Sequence, residues 1–137
     1  MIGEAQELLT AVGRSLARSG PDRWRELELK ISGAGGMTST RVSATRADGS
    51  IDHDCELDDD GDDAAANLRE SMYQEGKGAW YNARLTLDSS GQLDAVFDYD
   101  SPPFEGAADT DLLIEDQRLF PRDEAKLPDW HPAKSEV

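Results

Sequence analysis

The stretch formed by residues 78–100 constrains the fold of this chain more than any other. Apolar and polar side chains alternate over residues 81–87 and again over residues 93–99, and this period of two is typical of half-buried strands. Between the two runs, residues 88–91 have the sequence Asp-Ser-Ser-Gly. This favours a tight turn, because Asp and Ser side chains accept hydrogen bonds from nearby amides and Gly adopts a positive φ. The sequence therefore predicts a β-hairpin, and we expect the rest of the domain to pack against its apolar face.

Two further strands and a short edge strand are predicted before the hairpin. Leu and Ile alternate with charged residues over 24–32, and a second alternating run over 38–46 predicts the antiparallel partner. The glycine-rich residues 33–36 form the turn between them. They lack the strand–loop–helix order with Lys and Ser/Thr that a phosphate-binding loop requires. Residues 51–57 predict the edge strand.

Three helices are predicted from apolar residues at helical spacing, combined with start and stop signals. They are residues 2–16 followed by Gly20-Pro21, a helix from Ala64 to about Gln74 capped by Asp62 or Asp63, and a helix that begins at Asp109 or Thr110 and ends before Pro121. This element order predicts an α+β domain with one antiparallel β-sheet of four to five strands and about three helices, mainly on one face. The other face is expected to be partly open, with Trp80 and Arg84 pointing away from Leu85 and Leu87.

The chain is strongly acidic, and its charge limits the classes of partner. It has 29 acidic and 14 basic residues among 137, which gives a formal net charge of −15. Such a field repels nucleic acids and anionic membranes, so direct binding to either is not expected. It attracts a basic partner and speeds the encounter with it. The alternative is that the acidity only keeps the protein soluble.

The single cysteine and the N-terminal residues indicate a cytoplasmic protein. Cys55 alone excludes an internal disulfide and a multi-cysteine zinc site, which fits a reducing compartment. The first residues lack the basic start and apolar run of a signal peptide. No apolar run approaches the length that spans a membrane.

An acid-rich stretch over residues 52–63 has the appearance of a calcium loop. With Gly61 at the glycine position, Glu56, Asp58 and Asp60 would be the first three ligands. The bidentate glutamate that closes such a loop would then fall at Asn67, so the motif fails at its most demanding position. Capping of the following helix explains the aspartates better, and no metal or cofactor is expected.

Catalytic motifs are equally weak in this sequence. His53 and His131 are the only histidines, and no serine lies in a Gly-x-Ser-x-Gly context. Cys55 lies among negative charges, which raise the pKa of a thiol and oppose a reactive thiolate. The sequence therefore predicts a protein that is not an enzyme.

A second acidic run, over residues 88–116, contains no basic residue and supplies the candidate binding site. Its strand aspartates are predicted to share the face opposite the core, and Trp80 on the paired strand would add an aromatic anchor, a frequent arrangement at interfaces. The alternative is an ordinary solvated strand face. The candidate binding residues are Trp80, Arg84, Asp94, Asp98, Asp100 and Glu105.

Several short motifs lie in and after the predicted hairpin. They are Gly78-Ala79-Trp80-Tyr81, Leu85-Thr86-Leu87, the turn at Gly91, Phe97-Asp98-Tyr99-Asp100, Phe120-Pro121-Arg122 and Leu127-Pro128-Asp129-Trp130. In these motifs the chain resembles the YezG-like family of bacterial antitoxin and immunity proteins. The resemblance covers most of residues 1–132, is strongest from residue 76 onward, and leaves residues 133–137 as a polar tail.

This resemblance implies a single immunity-type domain in a polymorphic toxin system. Such a protein stays in the cytoplasm, binds a cognate toxin domain delivered by sister cells and occludes its active site. The expected partner is a basic toxin, either a nuclease or a nucleotide-consuming enzyme, and the protein itself is a monomer or a homodimer. A different interpretation is an acidic adaptor or chaperone for a basic client such as a secreted effector.

Overall fold

The computed structural model describes residues 2–134, with only the backbone of Ile2, so residues 135–137 of the predicted polar tail lie outside the described part. Within it, three α-helices and a five-stranded antiparallel sheet confirm the predicted α+β class. The elements are α1 (Ile2–Ser19), β1 (Trp24–Ala34), β2 (Met37–Arg46), β3 (Ile51–Asp52), α2 (Asp59–Ser71), β4 (Asn82–Asp88), β5 (Leu93–Asp98) and α3 (Thr110–Leu119). Two 3₁₀ turns, Pro103–Gly106 and Glu124–Lys126, precede and follow α3.

The sheet has the strand order β3-β2-β1-β4-β5, so that the two hairpins meet at the β1–β4 pair. The predicted β4–β5 hairpin is present, and its turn is held as the sequence indicated. An Asp88 carboxylate oxygen accepts hydrogen bonds from the backbone N–H groups of Ser90 and Gln92, both at 3.0 Å. Gly91 has φ 92°. The predicted edge strand over 51–57 shortens to the two residues of β3.

The core lies on one face of the sheet, where α1 and α2 cover it. Val12 and Leu16 of α1 pack with Leu29 and Leu85 of the central strands, and all four are fully buried. Leu68 of α2 joins this cluster. Burying these side chains contributes about 1.5–3 kcal/mol each. No helix within residues 2–134 has the length and hydrophobicity to cross a bilayer.

Helix α2 begins earlier than the sequence predicted, and its cap is Asp58 rather than Asp62 or Asp63. The Asp58 carboxylate accepts a hydrogen bond from the N–H of Gly61 at 2.8 Å, while Arg18 of α1 donates to the same carboxylate at 2.9 Å. Both hydrogen bonds favour the charged form, so the pKa of Asp58 is lowered. Several aspartates in this run are competent caps. The contact with α1 favours Asp58.

Two buried arginines connect the segment before β4 to the helices and to the C-terminal segment. Arg69 of α2 donates to the carbonyl oxygen of Trp80 at 2.6 Å and pairs with Asp116 of α3 at 2.8 Å. Arg122 donates to the carbonyl oxygens of Ala79 and Tyr99, both at 2.8 Å. These bonds satisfy backbone carbonyls that have left the sheet, where an unpaired buried acceptor would cost free energy.

Candidate interaction surface

The open face is the side of the sheet opposite α1 and α2. Strand alternation and register place fourteen polar or charged positions and Val96 within reach of one another across four strands. From β2 to β5 they are Ser39, Arg41, Ser43 and Thr45; Glu26, Glu28, Lys30 and Ser32; Asn82, Arg84, Thr86 and Asp88; and Asp94, Val96 and Asp98. The same strands therefore present an apolar face to the helices and a charged face outward.

Three cations lie side by side at the centre of the open face. Arg41 of β2 is the register partner of Lys30 in β1, and Lys30 is the register partner of Arg84 in β4. We call these three residues the basic row. Like charges at directly opposed positions destabilise a sheet. A protein with a net charge of −15 nevertheless aligns three of them.

The basic row is only partly neutralised. The nearest carboxylate to Lys30 is that of Glu28, with 3.9 Å between nitrogen and oxygen, and Arg41 pairs with Glu105 at 3.3 Å. The Arg41–Glu105 pair is largely exposed and the Lys30–Glu28 pair is partly exposed, so solvent screens both. The Arg84 side chain is exposed and forms no hydrogen bond or ion pair within residues 2–134.

Acidic residues flank the basic row on both sides. Glu28 and Asp94 belong to the neighbouring row of positions on one side. Asp98 belongs to the row on the other side, through its pairing with Asn82. Glu105 approaches from the turn Pro103–Gly106. Along the strands, the open face therefore carries three stripes in succession. They are an acidic stripe formed by Glu28 and Asp94, the basic row, and a second acidic stripe formed by Asp98 and Glu105.

A groove of about 400 Å³ runs over the second half of this pattern. Its walls include the basic row together with Asn82, Asp98 and Glu105. One wall is the turn Pro103–Gly106, in which Phe104 and Glu105 have φ values of 54° and 56°. Non-glycine residues in this region of φ carry strain of about 1–3 kcal/mol each, so the packing of buried Pro103 and the chain around it must hold the turn in place.

Asp98 ends β5, and this changes the expected relation between Asp98 and Asp100. The Asp98 carboxylate accepts hydrogen bonds from the N–H groups of Asp100 at 2.9 Å and Ser101 at 3.0 Å. Partial burial acts in the opposite direction, but these bonds hold the pKa of Asp98 below its ordinary value. Because the chain turns here, Asp100 lies beyond the strand. The prediction that it shares a strand face with Asp94 and Asp98 is wrong.

The prediction that Trp80 lies on the exposed face is also wrong. Its side chain is 0% exposed, its ring centroid lies 5.6 Å from that of Phe97, and its Nε1 lies 3.3 Å from the sulfur of Met72. Strand β4 begins only at Asn82, so the alternation seen from Tyr81 onward does not extend back to Trp80. Arg84, Asp94, Asp98 and Glu105 do meet at or around the open face.

Three apolar residues belong to this surface that the sequence patterns did not single out. Met37, Ile51 and Val96 are the most exposed large apolar side chains of the described chain, at 59%, 58% and 57%. Val96 is the register partner of Arg84, Ile51 that of Thr45, and alternation in β2 places Met37 on the same side as Ser39. One of them could have been found from the sequence, because Val96 interrupts an otherwise acidic strand face between Asp94 and Asp98.

This surface presents charged groups and exposed apolar side chains. Elsewhere, burial and then Asp52 raise the pKa of the Cys55 thiol, which disfavours a thiolate. Among residues 2–134, no group of three or more His, Cys, Asp or Glu side chains is placed to hold a metal ion. Compared with protein-family models and with curated proteins, the chain has no significant match.

Proposed function

We propose that this chain is an immunity protein, an antitoxin that binds a cognate bacterial toxin domain and occludes its active site with an acidic surface. The observation that carries the proposal is the open face. Within residues 2–134 neither α1 nor α2 covers it, it carries the three most exposed large apolar side chains of the described chain, and acidic residues flank its basic row. Val96 adjoins Arg84 across the β4–β5 pair, and an arginine beside an exposed apolar side chain is a combination found at protein interfaces.

The charge of the chain supports a basic partner. A net charge of −15 steers a positively charged protein towards it and increases the association rate. Toxin domains that cleave nucleic acid or consume nucleotides need positive charge where they hold phosphate. Asp94, Asp98 and Glu105 would face that positive charge and be attracted by it. The proposal places the protein in the cytoplasm as a monomer or homodimer, without a cofactor.

The corrected position of Trp80 changes the proposed contact residues. A fully buried side chain cannot be an anchor without unfolding its surroundings. Val96 takes that place, since it is exposed and adjoins Arg84 across the β4–β5 pair. The proposed contact set is Arg84, Asp94, Val96, Asp98 and Glu105, with Asp100 at its margin.

The test is site-specific photocrosslinking in the native cell followed by an activity assay. A photoreactive amino acid replaces Val96 on the open face and, in the control, exposed Glu7 on α1. The proposal expects crosslinking at position 96 but not at position 7 to a protein with a basic domain. That protein, assayed alone and in a stoichiometric complex, should be toxic alone and inactive in the complex.

Three outcomes would contradict the proposal. A partner that remains fully active in a salt-sensitive complex would indicate an adaptor or chaperone instead of an inhibitor. A partner captured equally from positions 96 and 7 would remove the open face from the interface. Failure of the chain to protect a cell that expresses the identified partner would exclude immunity.

A further inference from the structure

We infer that the basic row, Arg41, Lys30 and Arg84, is a carboxylate-binding subsite that receives an acidic side chain of the protein partner, flanked in that partner by basic side chains. This inference rests on the proposed function, because it specifies what the docked surface of the partner must look like. It also excludes a partner surface that is uniformly basic.

The first argument is the unsatisfied charge of the row. Register sets the three cations at directly opposed positions, where like charges repel. The side chain of Arg84, the member nearest β5, has no ionic or hydrogen-bonding partner within residues 2–134, although the chain has about twice as many acids as bases. A carboxylate placed over the row would relieve this repulsion, and an arginine fork binds a carboxylate through two parallel hydrogen bonds.

The second argument is the order of the stripes. Successive rows on one face of a strand are two residues apart, about 7 Å. Glu28 and Asp94 lie one row from the basic row on one side, and Asp98 lies one row away on the other. A complementary surface must present basic, acidic and basic groups at about the same interval. A uniformly basic surface would be attracted by the acidic flanks and repelled by the basic row at the centre. The open face can therefore discriminate between such a surface and the complementary one.

The third argument favours a protein carboxylate over a free phosphate-bearing molecule. A net charge of −15 repels a free multivalent anion at long range. Asp98 and Glu105, which line the same groove, oppose it at short range. A carboxylate carried between basic side chains avoids both penalties, because its neighbours are attracted by the acidic flanks. Val96, beside Arg84, adds an apolar contact of the kind that a protein segment provides.

The experiment uses the full chain and two synthetic peptides at low salt. In one peptide a single glutamate is flanked by lysines at every second position. In its twin, glutamine replaces the glutamate. NMR spectra report the Arg84 side-chain N–H and the backbone amides of Arg84 and Val96 during each titration, with inorganic phosphate as a third probe.

The expected result is a saturable shift of the Arg84 signals with the glutamate peptide, and an affinity about two- to fivefold higher than that of the glutamine twin, the range for exposed ion pairs. Arg84→Gln should abolish the preference for glutamate. Arg14→Gln should retain it, because Arg14 is an exposed arginine of α1 away from the open face. Higher salt should reduce the preference.

The inference is overturned if the two peptides bind alike, if neither shifts the Arg84 signals, or if inorganic phosphate shifts them as strongly as the glutamate peptide. It is also overturned if the Arg84 signals change with protein concentration alone, since the occupant would then be a second copy. The proposed function fails separately. If the Arg84→Gln variant inhibits the crosslinked toxin as strongly as the parent protein does, the subsite is refuted and the immunity function is unaffected. If the captured partner is never inhibited, the immunity function is refuted.

Discussion

The two faces of the sheet differ in burial and in charge, although their residues alternate along the same strands. On the covered face, Leu29 and Leu85 are fully buried beneath α1 and α2. On the open face, their immediate neighbours Lys30 and Arg84 are exposed, and the aligned cations act against stability. Stability therefore comes mainly from one side of each strand, and the proposed function assigns the charges of the other side to a partner.

Substitutions on the two faces should therefore have different effects. On the covered face a change of volume alters packing directly, because protein interiors are close-packed. On the open face the fold tolerates a change of charge, and under the proposed function such a change alters the binding of the partner. Four measurements test how sharply the molecule keeps these effects apart.

Trp80→Ala should have the largest effect on stability, and it tests whether Trp80 belongs to the buried core. Truncating a fully buried tryptophan costs about 3–5 kcal/mol of unfolding free energy, since Trp80 packs on Phe97 and contacts Met72. Urea unfolding followed by tryptophan fluorescence measures the change. Val96→Ala is the matched control and should cost no more than about 0.5 kcal/mol. Equal effects of the two substitutions would remove the contrast between the faces.

Gly61→Ala tests how closely the helices of the covered face approach each other. Alanine usually stabilises a helix by about 1 kcal/mol relative to glycine. A Cβ on Gly61 would instead lie 2.6 Å from both the Cβ of Ser15 and the Cγ of Leu57, so we expect a loss of about 1–3 kcal/mol from overpacking. Gly3→Ala in α1 is the control, since its Cβ would have no neighbour within 4 Å. A stabilised Gly61→Ala protein would mean that the helices are free to separate.

His131→Phe tests whether the C-terminal segment shares the stability of the covered face. Burial lowers the pKa of His131 below its ordinary 6.5, although Asp116 partly opposes the shift. The unfolded chain therefore binds a proton near pH 6.5 while the native histidine stays neutral, and stability falls as the pH drops below that value. In His131→Phe the fall between about pH 7 and pH 5.5 should be smaller. Calorimetric unfolding across this range measures the fall in stability. An unchanged slope of stability against pH in His131→Phe would contradict the assignment of this fall to His131.

Arg84→Gln should change stability least. Removing one cation from the basic row relieves repulsion with Lys30. We expect the free energy of unfolding to stay within about 0.5 kcal/mol of the parent and to rise slightly at low salt. Chemical unfolding at low and high salt measures the difference, with Arg14→Gln as the control. A loss above about 1 kcal/mol would show that the open face contributes to folding after all.

Much of the fold was predictable because period and turn chemistry act locally. The β4–β5 hairpin follows from alternation around a turn closed by Asp88 and Gly91, and both behave as expected. The start of α2 was not predictable, because consecutive aspartates make equivalent caps and the choice depends on Arg18 of another helix. The orientation of Trp80 depends on where β4 begins, which alternation alone does not mark.

The candidate site was predictable only in part, for a related reason. Arg84, Asp94 and Asp98 were placed on one face because they lie within a single hairpin, whose register the turn sets. The basic row joins that hairpin to Arg41 and Lys30 of another, and the alignment depends on the β1–β4 pairing. Residues far apart in the chain become neighbours there, and no local pattern reports such a pairing.

The two buried arginines leave a consequence for the descent of this protein. A Cβ on Gly33 would lie 2.5 Å from the Cδ of Arg69, and one on Gly78 would lie 2.5 Å from the Cγ of Arg122. Each arginine thus occupies the volume that a side chain on its glycine would need, so a larger residue at either glycine would displace the arginine. Gly78 also has φ 83°, which favours glycine whatever its neighbour. Distant relatives that keep Arg69 or Arg122 should therefore keep the glycine beside it, so that joint inheritance of these two pairs would be a better mark of kinship than the apolar pattern, which many unrelated sheets share.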